Sequence, residues 1–140
     1  MPRSTVEAVI PAPRQAVYTF FVNRDGINPF LPGVQFTLKK PGTDSPSGVG
    51  AQYTVGRGSI GFVEETTTLV PNERFEYKIV KGVPVKRHVG IVTFADAEGG
   101  TCVTYTMESE PSLPVPAKVL EAGLRTLIGQ IMGATKKAFA

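Results

Sequence analysis

The stretch PAKVLEAGLRTLIGQIMGATKKAFA, Pro116 to Ala140, governs the reading of everything before it. Leu120, Leu124, Leu127, Ile131, Ala134 and Ala138 recur at helical spacing and form one apolar stripe. Lys118, Glu121, Arg125 and Lys136 fall opposite, and Glu121 precedes Arg125 by four residues, a favourable ion-pair spacing on a helix. The pattern predicts one long amphipathic helix, entered through the proline-rich hinge Pro111-Ser112-Leu113-Pro114-Val115-Pro116. Gly123, Gly129 and Gly133 each cost such a helix about 1 kcal/mol relative to alanine. Gly123 lies towards the apolar side, where its bare backbone leaves room for a ligand or for close packing on a sheet.

Outward from this helix, the period changes. Strand-like alternation predicts strands over 5–10, 34–39, 49–57, 60–69, 74–80, 86–95 and 101–109. The separators Pro41 to Gly48, Arg57-Gly58-Ser59, Val70-Pro71-Asn72-Glu73, Lys81-Gly82-Val83-Pro84 and Asp96 to Gly100 are rich in turn residues. Short links favour an antiparallel meander. Between the first two strands, Pro13 can open a helix in which Val17, Phe20 and Phe21 share a face, and Asp25-Gly26 ends it. Pro29 and Pro32 leave Asn28 to Gly33 only a short helical turn. The fold class is therefore α+β. A long helix following a curved antiparallel sheet buries its stripe against that sheet and tends to enclose a cavity.

The chain has 140 residues, the size of one domain spanning 1–140, and no interdomain linker or internal repeat breaks it. Its net charge of +3 is scattered over short clusters, Lys39-Lys40, Lys86-Arg87-His88 and Lys136-Lys137. Such scatter argues against a nucleic-acid surface. The single cysteine, Cys102, rules out an internal disulfide and fits a reducing cytoplasm. The first residues lack the pattern of a secretory signal, and no run approaches the roughly 18 apolar residues of a membrane span. The expectation is a cytoplasmic monomer or homodimer.

Catalytic motifs are sparse. Gly56-Arg57-Gly58-Ser59-Ile60-Gly61 matches the spacing of a dinucleotide-binding loop, but Phe62 to Thr68 is a β-branched run and not the required helix, so it reads as a hairpin turn. Cys102 has no basic neighbour and reads as a buried, inert thiol. One histidine and one cysteine do not make a metal site, and no cofactor is expected.

Strand parity places Phe75, Tyr77 and Ile79 on an inward face, and likewise Val103, Tyr105 and Met107. In the flanking strands we assign His88, Gly90, Val92 and Phe94, and Phe62, Glu64 and Thr66, to the interior. This aims Glu64, Tyr77, His88 and Tyr105 into one lumen, the arrangement of a small-molecule site. Phe62, Tyr77, Val92 and Tyr105 would line one wall; Leu120, Leu124 and Leu127 would line the other.

The run Val9 to Tyr18, Pro29-Phe30-Leu31-Pro32-Gly33-Val34, Gly48-Val49-Gly50, Pro71 to Tyr77, and Gly99 to Tyr105, all followed by the final helix, resembles the START-related, Bet v 1-like (SRPBCC) superfamily. In particular it is similar to the bacterial polyketide cyclase/dehydrase and lipid-transport branch. The resemblance implies a helix-grip fold, with a sheet of six or seven strands around the last helix and two short helices after the first strand. It also implies a small hydrophobic ligand such as a lipid, sterol or polyketide. Two other readings follow from it. One is a cyclase or dehydratase, with Glu64 or His88 as general base and Tyr77 or Tyr105 polarising a carbonyl. The other is a co-chaperone-like protein-interaction module with a filled interior.

Overall fold

The computed structural model describes residues 2–57 and 60–140, and among these the β-branched and aromatic alternation produces seven strands in one sheet. They are β1 (Arg3–Ile10), β2 (Gln35–Lys40), β3 (Gln52–Arg57), β4 (Ile60–Val70), β5 (Arg74–Lys81), β6 (Val85–Ala97) and β7 (Gly100–Pro111). Their spatial order is β1-β7-β6-β5-β4-β3-β2, with every described pairing antiparallel. Helix α1 (Arg14–Val22) and a 3-10 helix (Arg24–Phe30) link β1 to β2, and α2 (Ala117–Ala138) closes the chain. The helix-grip arrangement expected from the sequence is what the chain adopts.

Most boundaries fall within a few residues of the sequence reading. The exceptions have local causes. Pro13 is the N-cap of α1, not its first helical residue, because its ψ of 151° is extended. α1 stops at Val22, and Arg24 to Phe30 continue in the tighter 3-10 form, so Asp25-Gly26 lies within a second helix and does not end the first. Asn28 then clamps β2: its side-chain Nδ2 donates to the Phe36 carbonyl at 3.0 Å, and its Oδ1 accepts from the Phe36 amide at 2.8 Å. In the glycine-rich segment, Gly56 pairs with Gly61 across β3 and β4, and a Cβ on Gly56 would lie 2.1 Å from the Ile60 carbonyl oxygen. The segment therefore joins two strands and opens no helix; Gly58 and Ser59, the expected turn, lie outside the described residues.

The parity assignments hold. His88, Gly90, Val92 and Phe94 are buried along β6, while Val89, Ile91 and Thr93 are half-buried. Gly90 has a specific task. It pairs with Tyr77 of β5, and a Cβ there would meet the Tyr77 ring at 2.2 Å. The ring lies in the space that any larger residue would fill. The main core joins Ile10, Val17, Phe21, Phe75, Val92, Phe94, Val103, Tyr105, Leu124, Ile128 and Met132. A second cluster gathers Ile27, Phe36, Tyr53, Val55 and Ala134 at the β2–β3 end.

α2 is rotated from its expected orientation. Leu124, Ile128, Met132, Ala134 and Thr135 are buried, whereas Leu127 is 48% exposed. Ser4 of β1 donates to the Glu121 carbonyl at 2.6 Å on that side of the helix, and Glu121 is half-buried there. Gly123 is exposed with open space around it, so neither a ligand nor packing accounts for it. Cys102, on the partly exposed row of β7, is half-buried and not fully buried as expected.

Gly90→Ala should therefore lower stability by about 2 kcal/mol through overpacking against Tyr77. Gly123→Ala should raise it by about 1 kcal/mol, because a helical glycine with open space gains from a methyl group. Urea unfolding midpoints of the two variants, moving in opposite directions, would check both.

Candidate ligand cavity

Where the sheet curls over α2, the apolar rows leave a cavity of about 310 Å³. Phe36, Val55, Phe62, Ile79, Val85 and Met107 contribute from the strands, and Leu120, Leu124, Leu127 and Ile131 from α2. Leu127 and Val34 are both partly exposed, so the cavity reaches the surface beside them. The rotation of α2 explains this use of its residues. The row Ile128, Met132, Thr135 packs into the core, and the neighbouring row Leu120, Leu124, Leu127, Ile131 faces the cavity.

Two charged side chains line one part of this space. Arg24 and Glu64 are only 3% and 2% exposed. Arg24 Nε donates to Glu64 Oε2 at 3.0 Å and its Nη2 to Oε1 at 3.1 Å, a two-pronged pair. A third donor, Nη1, reaches the Phe21 carbonyl at 3.3 Å. The guanidinium also lies about 5 Å from the ring centres of Phe36, Phe75 and Tyr77, close enough for cation–π attraction. Burial alone would favour the neutral guanidine, but the Glu64 carboxylate outweighs it and holds Arg24 charged, above its ordinary range.

The Tyr77 and Tyr105 hydroxyls hydrogen-bond to each other beside this pair. Burial raises both phenols: Tyr77 goes well above its ordinary value, and Tyr105 is pushed up to about 12. Both stay neutral at physiological pH. His88, 7% exposed, sits elsewhere along the wall, and burial pushes its imidazole down to about 4. It is neutral as well.

Seven of the side chains proposed from the sequence meet around the cavity: Phe62, Glu64, Tyr77, His88, Leu120, Leu124 and Leu127. Val92 and Tyr105 do not. Both are fully buried behind the wall, where Tyr105 holds Tyr77 and Val92 packs in the main core. The arrangement required for base catalysis is also absent among the described residues. Both Glu64 oxygens are taken by Arg24, and the Tyr77 hydroxyl is taken by Tyr105, so neither Glu64 nor His88 hydrogen-bonds a tyrosine. Arg24 itself escaped the sequence reading, since Asn23-Arg24-Asp25-Gly26 looks like a solvated turn. The available signal was Glu64: a carboxylate on an inward row demands a buried cation. Among the described residues, no group of three or more His, Cys, Asp or Glu side chains is placed to hold a metal ion.

A family model described as polyketide cyclase / dehydrase and lipid transport matches residues 1–140. Among solved structures, the chain is similar to a START superfamily protein from Mycobacterium smegmatis, with a TM-score of 0.83 at 10% identity, over 99% of this chain and 97% of that one. It is similar to the protein XoxI from Bacillus cereus, with a TM-score of 0.79 at 14% identity, over 99% and 96% of the two chains. It is also similar to Ara h 8.0201, with a TM-score of 0.73 at 15% identity, over 95% and 94%. No curated protein sequence matches it.

Two outcomes are expected from the buried charges. Glu64→Gln leaves the Arg24 charge buried without its counter-ion and should cost about 3–5 kcal/mol in a urea titration. Replacing both partners by apolar residues, Arg24→Met with Glu64→Leu, should recover much of that loss. For His88, the unfolded chain binds a proton near 6.5 and the folded chain at about 4. Between these values the unfolded state holds more protons, so stability is full above about pH 6.5 and falls as pH drops towards 4, by about 3 kcal/mol in all. Thermal midpoints across this window should lose the His88 part of their slope in His88→Gln.

Proposed function

The chain belongs to the polyketide cyclase / dehydrase and lipid transport family, and on that premise we propose that it binds a small hydrophobic molecule in the cavity between sheet and α2. The observation that carries this reading is the cavity wall, which is apolar over both the strand and the helix side. A filled interior would have favoured a protein-interaction module. At roughly 30 Å³ per packed atom, 310 Å³ accommodates about ten non-hydrogen atoms. Burying about ten methylenes is worth on the order of 8 kcal/mol before the costs of association. A longer chain would have to leave through the mouth beside Leu127 and Val34.

Binding, and not turnover, is the better-supported activity. The proposed general base Glu64 is locked by Arg24, and Tyr105 is walled off from the cavity. The free thiol of Cys102 suits work in a reducing cytoplasm. Among the described residues, no helix is long and apolar enough to cross a membrane.

Native mass spectrometry of protein purified without detergent tests the reading. The expected result is an adduct on the order of 150 Da or somewhat larger, matching about ten heavy atoms. Ile79→Phe, which fills the cavity from β5, should remove that adduct while the protein remains folded. An adduct that survives Ile79→Phe, or the failure of any apolar probe to bind, would sink the container reading.

A further inference from the structure

The polar groups along the cavity wall are not equivalent. Arg24 and Glu64 satisfy each other, the Tyr77 hydroxyl is satisfied by Tyr105, and Gln130 lies on the exposed side of α2. Two buried side chains are left over. His88 is 7% and Ser109 is 2% exposed, both line the cavity, and neither side chain has a hydrogen-bond partner among the described residues. The described side-chain atoms buried without a hydrogen-bond partner are Arg14 Nε and Thr66 Oγ1, outside the cavity lining. The polar atoms of His88 and Ser109 open onto the cavity instead, so their hydrogen bonds are left to whatever fills it.

Their juxtaposition follows from register. His88 of β6 pairs directly with Ser109 of β7, and both point inward. Residues directly opposite in an antiparallel pair have Cβ atoms about 5 Å apart, so one ligand oxygen can lie within reach of both side chains. The serine hydroxyl donates or accepts, and a neutral imidazole offers one donor and one acceptor.

We propose that this cavity selects neutral apolar molecules carrying a single oxygen, an alcohol or ketone of about ten non-hydrogen atoms, held at that oxygen by His88 and Ser109. The proposal rests on the container reading above. An alcohol donates to one of the pair and accepts from the other. A ketone accepts from the serine hydroxyl and from the imidazole N–H. A carboxylate finds no free cation among the described residues of the wall. Burial keeps the imidazole uncharged at neutral pH, and the guanidinium on the cavity wall, Arg24, is already committed to Glu64, whose own charge repels a second acid. From α2 the cavity is faced by Leu120, Leu124, Leu127 and Ile131, which add no charge. Acids of the same length are therefore excluded by the cost of burying an unpaired charge.

Calorimetric titration at neutral pH with octanol, octanone, octanoate and propylbenzene tests this. Octanol and octanone should bind about tenfold more tightly than octanoate or propylbenzene, the worth of a ligand hydrogen bond at a buried site. Ser109→Ala and His88→Leu should each bring octanol down towards propylbenzene and leave propylbenzene unchanged. Ser109→Ala, which removes one oxygen only, decides the matter if His88→Leu fails to fold. Octanoate binding as tightly as octanol, or an octanol preference that survives Ser109→Ala, overturns the proposal while propylbenzene binding keeps the container. Failure of all four probes to bind overturns both.

Discussion

A buried carboxylate on the concave face of a sheet is tolerable only if a cation meets it there, and this protein is organised around that demand. Glu64 projects inward from β4, and Arg24 reaches it from the 3-10 helix with two parallel hydrogen bonds. The pair fixes where the segment after α1 crosses the sheet. It also fixes the rings of Phe36, Phe75 and Tyr77 about the guanidinium, and through Tyr77 it touches the phenol pair with Tyr105. One charged contact thus ties β2, β4, β5 and β7 to a short helix that by itself has little reason to be ordered. Such pairs contribute less to net stability than their geometry suggests, because desolvation offsets most of the attraction. Their effect is to make one arrangement much cheaper than its alternatives.

The same pair limits the chemistry of the cavity. Two charges that neutralise each other offer nothing to a passing substrate, so the polar part of the wall nearest them is closed. What remains open is a mostly apolar space with His88 and Ser109 along one strand pair. α2 supports this division with two adjacent apolar rows. Leu124 belongs to both, since it is 3% exposed within the core and also borders the cavity. A helix with a single narrow stripe would either have filled the cavity or lost its grip on β1 and β7.

Much of this was legible from periodicity. The alternation that put Phe75, Tyr77 and Ile79, or Val103, Tyr105 and Met107, on one face survives folding because a strand has only two faces and the core takes the more apolar one. Parity also carried His88 and Glu64 to the inside, correctly, although both residue types are ordinarily exposed. The helix was harder. Leu127 and Ile128 are adjacent, similarly apolar and 100° apart, and sequence does not say which meets the sheet. The choice is made where α2 packs on β1 and the core, and Ser4 of β1 meets the Glu121 carbonyl there.

The order of elements, the strand faces, the closing helix and hence the family were fixed by the sequence itself, since each rests on a local period or on turn chemistry that acts within a few residues. The tertiary structure alone decided the partner of Glu64, the rotation of α2, the retreat of Val92 and Tyr105 behind the wall, and the volume left over. Each of these depends on which surfaces meet across long chain separations. Arg24 and Glu64, forty residues apart, find each other only once the sheet has curled.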